Sequence, residues 1–202
     1  MFTVFLVDDD ARVLKALARL LQAEGHSVCC FESAREFLEQ YDPAIPGCAV
    51  FDVSMPGLDG LALQQVLTAA GDQRPIIFLT GKGDIPTSVR AMKLGAIDFL
   101  TKPVRGKDLL DSIARAQGAD VETRQSHTKV LAIKAKIATL TPREREVLSY
   151  VVAGRLNKQI AGDLGIVEQT VKVHRGRMME KLGVRTVADL VRLAEKAGIS
   201  KS

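Results

Sequence analysis

Five short apolar runs, each followed by an amphipathic segment, divide the first half of the chain and leave it few ways to fold. TVFLV at 3–7, SVCCF at 27–31, CAVFD at 48–52, PIIFLT at 75–80 and IDFLT at 97–101 have the length of strands, and several are apolar on both faces. A strand wetted on one side alternates in polarity, whereas one covered on both sides does not, so these runs read as a parallel sheet. Helical patterns over 11–24, 33–41, 59–70 and 86–94 lie between them, punctuated by Gly or Pro. Such β-then-α units, joined by right-handed crossovers, form a five-stranded doubly wound parallel α/β sheet.

Beyond residue 106 no convincing strand appears. Segment 106–136 carries no proline and reads as one long helix, with Gly118 as its weak point at about 1 kcal/mol against alanine. A flexible tether is the alternative. Charge divides in the same region. Residues 1–120 carry 12 Lys and Arg against 16 Asp and Glu, a net of −4, while residues 121–202 carry 16 against 8, a net of +8. An acidic half joined to a basic half implies two domains, the basic one a candidate for polyanions such as DNA. Cys29, Cys30 and Cys48 are odd in number and lack CxxC spacing, which reads as free thiols in a reducing cytosol. No apolar run approaches the roughly 20 residues of a membrane span. The start, MFTVFLVDDD, has no basic leader, so the expectation is a cytoplasmic protein with no signal peptide and no membrane partner.

The run VFLVDDD aims carboxylates at a strand end. Two unit charges about 5 Å apart repel by roughly 3 kcal/mol at an effective dielectric of 20, so something must offset them. In the order 2-1-3-4-5 the C-terminal ends of the strands share one edge, where ligands bind. Asp8 and Asp9 then end the first strand, Asp52 the third and Thr80 the fourth, and Lys102 follows the fifth. Carboxylates converging without basic partners suit a hard divalent cation such as Mg²⁺. Thr80 offers a hydrogen bond to a phosphate oxygen and Lys102 a point charge, which together fit phosphoryl transfer onto Asp52 as nucleophile. Each position alone has an ordinary explanation: Asp10 reads as a helix cap, and Thr80 before Gly81 as turn chemistry. Their recurrence at successive strand ends favours a site.

VDDD, D-V-S-M-P-G-L-D-G at 52–60, L-T-G-K-G-D at 79–84 and A-M-K-L-G-A-I-D-F-L-T-K-P at 91–103 resemble a response-regulator receiver domain over residues 1–120. The resemblance implies that Asp52 is the phosphoacceptor and that Asp8, Asp9, Asp52 and the carbonyl of Ser54 hold Mg²⁺. It also makes Thr80 and Phe99 a switch pair and Lys102 the phosphate-pairing lysine. Ser54 and Lys82 occupy positions that influence access of water to the phosphoryl group. The Lys102–Pro103 bond is often cis in receivers, against a general rate of about 5–6% for X-Pro bonds.

In the basic half, L-T-P-R-E-R-E-V-L at 140–148 opens a helix with Thr141 as N-cap and Pro142 at its first position. N-K-Q-I-A-G-D-L-G at 157–165 and V-E-Q-T-V-K-V-H-R-G-R-M-M-E-K-L at 167–182 are two helices joined by a tight glycine-containing turn. That arrangement, with a basic second helix, describes a helix-turn-helix. On a wheel of 100° per residue Val171, Met178 and Leu182 point inward, and Gln169, Lys172, Val173, Gly176 and Arg177 point outward. A solvated helix face is the plainer alternative for such a basic stripe. These segments, with T-V-K-V-H and K-L-G-V, resemble the LuxR/NarL/FixJ-type DNA-binding domain over about 138–200. By that resemblance Lys172, Val173, His174 and Arg177 lie at the major groove, Lys158 and Thr170 contact the DNA backbone, and helix 186–197 supplies a dimer contact. Gly176 departs from the long polar residue common in relatives. His174 reads as a packed position rather than a metal ligand.

The combined expectation, with the fold that the resemblance implies, is a flavodoxin-like receiver domain over 1–120, a helical linker over 121–138 and an all-α LuxR-type helix-turn-helix domain over 139–202. A sensor histidine kinase would donate a phosphoryl group to Asp52, and the phosphorylated protein would dimerise and bind double-stranded promoter DNA, with RNA polymerase as a further partner. It is not an enzyme beyond self-phosphorylation and autodephosphorylation at Asp52. Two other classes compete. A Mg²⁺-dependent aspartyl-phosphate phosphatase typically wants a second acid two residues after the nucleophile, where this chain has Ser54. A DNA-binding regulator independent of phosphorylation would not need the complete set Asp8, Asp9, Asp52, Thr80 and Lys102.

Overall fold

The computed structural model describes residues 2–81 and 85–199, which form two compact units, Met1–Arg124 and Gln125–Ser202. In the first unit the strands are β1 (Thr3–Val7), β2 (Ser27–Phe31), β3 (Gly47–Asp52), β4 (Ile76–Thr80) and β5 (Asp98–Thr101). They pair in parallel, as the alternation of strand and helix predicts, and their order is β2-β1-β3-β4-β5. The helices between them are α1 (Ala11–Ala23), α2 (Ala34–Gln40), α3 (Gly60–Ala69) and α4 (Ile85–Lys93). Asp10, Ser33 and Asp59 each accept a backbone N–H from the first turn of the helix that follows, so they cap α1, α2 and α3 from just outside.

Side chains alternate along a strand, so the sheet has two cores. Phe5, Val7, Phe51 and Phe78 face α2, α3 and α4, where they meet Phe37, Leu63 and Ala91. Val4, Leu6, Val50, Ile77 and Leu79 face α1 and α5 (Gly106–Ala138), where they meet Leu17, Leu21, Leu109 and Ile113. Burying one such Leu, Ile or Phe contributes about 1.5–3 kcal/mol. β1, β3 and β4 are buried throughout. SVCCF is as apolar as they are but lies at the sheet edge, and there Cys29 and Cys30 are exposed while Cys48 is buried in the centre. All three cysteines are free thiols.

The helix expected over 106–136 runs without interruption to Ala138. Its stretch up to Arg124 is tied to the first unit. Arg124 pairs with the buried Asp120 and donates to the carbonyls of Ala44 (3.1 Å) and Ile45 (2.9 Å). Arg74, stacked over Phe5 and Tyr41, donates to the same Ile45 carbonyl at 3.0 Å.

The second unit contains α6 (Pro142–Val152), α7 (Asn157–Leu164), α8 (Glu168–Leu182) and α9 (Val187–Lys196). Val147, Leu148, Val151, Ile160, Val171, Met178, Leu182 and Leu190 form one core, including the three α8 residues that the helical wheel turns inward. Thr141 and Glu144 close a reciprocal capping box at the start of α6. Gly165 ends α7 at φ 64°, a left-handed conformation that makes glycine the fitting residue for the turn into α8.

Candidate functional site

The parallel register brings the ends of β1, β3, β4 and β5 to one edge of the sheet. Asp8 follows β1 directly and is buried, with its backbone N–H donating to the Phe31 carbonyl at 3.2 Å. Asp52, the last residue of β3, is also buried, whereas Asp9 is exposed. One carboxylate oxygen from each of Asp8, Asp9 and Asp52 lies within 4.8 Å of the others. The exposed Ser54 stands two residues beyond Asp52. Thr80 is 1% exposed at the end of β4, and its carbonyl accepts from the backbone N–H of Lys102 at 2.7 Å. The Lys102–Pro103 bond is cis. Lys82 lies outside the described residues.

The carboxylates do have a basic partner, contrary to the expectation from their neighbours in the chain. Lys102 Nζ lies 2.5 Å from Asp8 Oδ2 and 3.0 Å from Asp52 Oδ1. Burial pushes the Asp8 carboxyl above its ordinary 3.8, and the pull of Lys102 and of the Asp10 backbone N–H does not reverse it. Burial alone would lower the Lys102 ammonium, but its bonds to Asp8 and Asp52 outweigh that and hold it above 10.5. Three carboxylates and one ammonium leave two negative charges (−3 and +1), and among the described residues Asp9 has no ion-pair partner. A hard dication fits this oxygen set in charge and in donor type.

Gly60 shows how closely the start of α3 approaches the end of β3. A Cβ there would stand 2.3 Å from the Asp52 carbonyl oxygen. Phe99 on β5 is half-buried, with its ring 6.4 Å from that of Phe78 on the neighbouring strand.

In the second unit Lys158, Lys172 and Arg177 are exposed, and Val173 is 41% exposed. Lys172 faces Glu168 one turn away at 3.3 Å. Gly176 sits among them with open space where a side chain would be. Thr170 and His174 are half-buried. Two basic residues of α8 turn elsewhere. Lys181 bonds to the buried Glu144 of α6 at 2.7 Å, and Arg175 Nη1 donates to Asn157 Oδ1 of α7 at 2.9 Å.

Residues 4–114 match the response regulator receiver domain family, and residues 138–194 match the family of bacterial regulatory proteins, luxR family. The chain belongs to the response regulators. It is 45% identical over 197 residues to Nodulation protein W of Bradyrhizobium diazoefficiens, covering 98% of this chain and 87% of that one. It is 39% identical over 196 residues to the transcriptional regulatory protein FixJ of the same organism, covering 97% and 96%. Among solved structures, the response regulator StyR matches with a TM-score of 0.77 at 48% identity, covering 96% of this chain and 98% of that one. Full-length FixJ from B. japonicum matches with a TM-score of 0.58 at 39% identity, covering 98% of each. This response regulator is a phosphorylation-controlled regulator of transcription with a LuxR-type DNA-binding domain.

Within the response regulator the structure brings Asp8, Asp9, Asp52 and Lys102 together, with Thr80 joined to Lys102 through the backbone. It leaves Phe99 on the far side of β4, packed with Phe78. Sequence reasoning missed the pairs Arg175–Asn157 and Glu144–Lys181. The wheel carried a signal for the first: Arg175 falls about 40° from Val171, on the arc that turns inward.

Proposed function

We propose that this response regulator accepts a phosphoryl group on Asp52 from a sensor histidine kinase and that the phosphorylated form dimerises on double-stranded promoter DNA, where it meets RNA polymerase. Residues 1–120 are the receiver, 121–138 the helical linker and 139–202 the DNA-binding domain. The observation that carries this reading is the convergence of Asp8, Asp9 and Asp52 within 4.8 Å at the edge of the sheet, with Lys102 bridging two of them.

Asp8, Asp9, Asp52 and the carbonyl of Ser54 would hold Mg²⁺. When bound, the ion supplies positive charge for the oxygens of the transferring phosphoryl group. A carboxylate oxygen of Asp52 attacks phosphorus, a P–O bond forms, and the P–N bond of the donor phosphohistidine breaks with the imidazole as leaving group. Lys102 leaves its bridge to Asp52 and pairs with a phosphoryl oxygen, while the Thr80 hydroxyl donates to another. Thr80 moving toward the phosphoryl group frees the space into which Phe99 turns, which reshapes the surface of α4 and β5. This is a two-state change biased by a local charge. On DNA, Lys172, Val173, His174 and Arg177 lie at the major groove, and Lys158 and Thr170 face the backbone.

Treatment with a small-molecule phosphodonor and Mg²⁺ is expected to add the mass of one phosphoryl group and to raise DNA affinity. Asp52→Ala is expected to do neither. Equal mass and equal affinity in the two proteins would end this reading.

A further inference from the structure

The helix α5 changes character at Arg124. Ile113, Ala116 and Asp120 are buried on it, but every residue from Gln125 to Lys129 is exposed. Gly118, exposed and with open space where a side chain would be, makes the stretch before Arg124 about fivefold less inclined to stay helical than alanine would. What holds the last turn of α5 in the first unit is polar.

Arg124 forks between its own helix and the segment before β3. Its Nε donates to Asp120 one turn back at 2.9 and 3.0 Å, and its Nη groups reach the carbonyls of Pro43 (3.5 Å), Ala44 (3.1 Å) and Ile45 (2.9 Å). Arg74 donates to the carbonyls of Asp42 (3.3 Å) and Ile45 (3.0 Å). Every carbonyl from Asp42 to Ile45 thus accepts from a guanidinium, a group that has donors only. The segment is built to present that row. Pro43 and Pro46 fix two of its φ angles, and Asp42 Oδ1 accepts the Ala44 N–H at 2.8 Å. The Pro46 carbonyl accepts the Thr3 N–H at 2.9 Å, which ties the end of the segment to β1. At Gly47 a Cβ would stand 2.0 Å from the Thr3 carbonyl oxygen, so only glycine lets the two chains lie this close. A stiff row of carbonyls at the N-terminal end of the sheet therefore grips one side chain of α5.

We propose that Arg124, seated on Asp120 and the carbonyls of 43–45, is a latch that decides whether α5 leaves the first unit as a helix or as a tether. Closed, it lets the helix run on to Ala138. Opened, it lets the helix fray back to Gly118, and the linker then passes on less of what happens at Asp52. That last consequence rests on the phosphorylation reading above.

Arg124→Ala alone would strand the buried Asp120 carboxylate. The test therefore uses the full-length chain with Asp120→Ala and Arg124→Ala together, and Arg124→Lys, which keeps a cation but not the fork. Hydrogen exchange read by mass spectrometry reports on the latch. In the double variant the amides of 119–129 are expected to exchange about tenfold faster than in the wild type, as charge-assisted bonds are lost, while β1 and β3 keep their rates. Arg124→Lys should fall between the two. Adding Gly118→Ala to the double variant should recover about fivefold. Unchanged exchange over 119–129, or acceleration spread equally over β1 and β3, would overturn the latch.

DNA affinity reports on the linker. Wild type and double variant are compared on a fluorescently labelled random-sequence duplex before and after a small-molecule phosphodonor with Mg²⁺. Both should bind equally before treatment and take up the mass of one phosphoryl group, and the variant should lose most of the gain in affinity that the wild type shows. An equal gain in a variant whose amides have loosened would overturn the role in signalling. If the wild type takes up no phosphoryl group or shows no gain, the Asp52 reading is what fails, and the exchange rates alone decide the latch.

Discussion

At the scale of single residues the carboxylate edge of the sheet leaves almost no freedom. Gly60 follows the cap Asp59, and any side chain there would press on the carbonyl of Asp52. Its backbone is unstrained for other residues, so the requirement is room and not torsion. Gly60→Ala is expected to cost about 1–3 kcal/mol by overpacking, read from denaturant unfolding, and to slow phosphorylation of Asp52 by a small-molecule donor. Unchanged stability and rate would show that α3 shifts without moving Asp52. Lys102 is held as closely: its ammonium spans Asp8 and Asp52, so the repulsion between two buried carboxylates is offset before any metal binds.

At the scale of elements, α6 depends on a charge supplied by α8. Glu144 is buried at 2% exposure, closes the capping box with Thr141 and accepts from Lys181. The Lys181 ammonium first, and the Thr141 backbone N–H second, hold its carboxyl below the ordinary 4.5. A carboxyl depressed on folding adds stability that is complete above its unfolded value and is lost as pH falls through the folded one. The amides of Thr141 and of residues 143–152 are therefore expected to exchange faster as pH is lowered below 4.5, after correction for intrinsic rates. Glu144→Gln, which has no titrating group there, should show a smaller acid-induced change from a lower starting protection. Identical pH profiles in the two proteins would remove the Glu144–Lys181 pair from the stability of α6.

At the scale of the whole molecule there are separate cores. The sheet packs two layers of apolar side chains on its faces, and α6 to α9 pack a third that shares no residue with them. Cores that share no residues can melt as separate cooperative units. Calorimetry is expected to resolve two transitions, with Mg²⁺ raising only the one that belongs to Met1–Arg124. At a hundredfold excess over Kd the gain is about 2.7 kcal/mol. A single transition, or two that shift together with Mg²⁺, would contradict this. The helix α5 begins in one unit and ends in the other, and the contacts of Arg124 with Ala44 and Ile45 extend the first unit past the last residue of the receiver match, 114.

Sequence alone determined the parallel sheet, the helix-turn-helix, the caps at Asp10 and Thr141 and the inward face of α8. Each of these is a local pattern: a period of two or 3.6, a capping residue, a glycine at a turn. The strand-end carboxylates were legible for the same reason, because a parallel sheet sends all its C-terminal ends to one edge. Only the tertiary structure decided which polar and charged groups meet. Lys102 is 94 residues from Asp8, Lys181 is 37 from Glu144 and Arg175 is 18 from Asn157. Nothing in a linear pattern says whether a lysine faces water, a phosphate or a carboxylate. Burial and packing settle that, because an unpaired charge removed from water is too costly to leave without a partner.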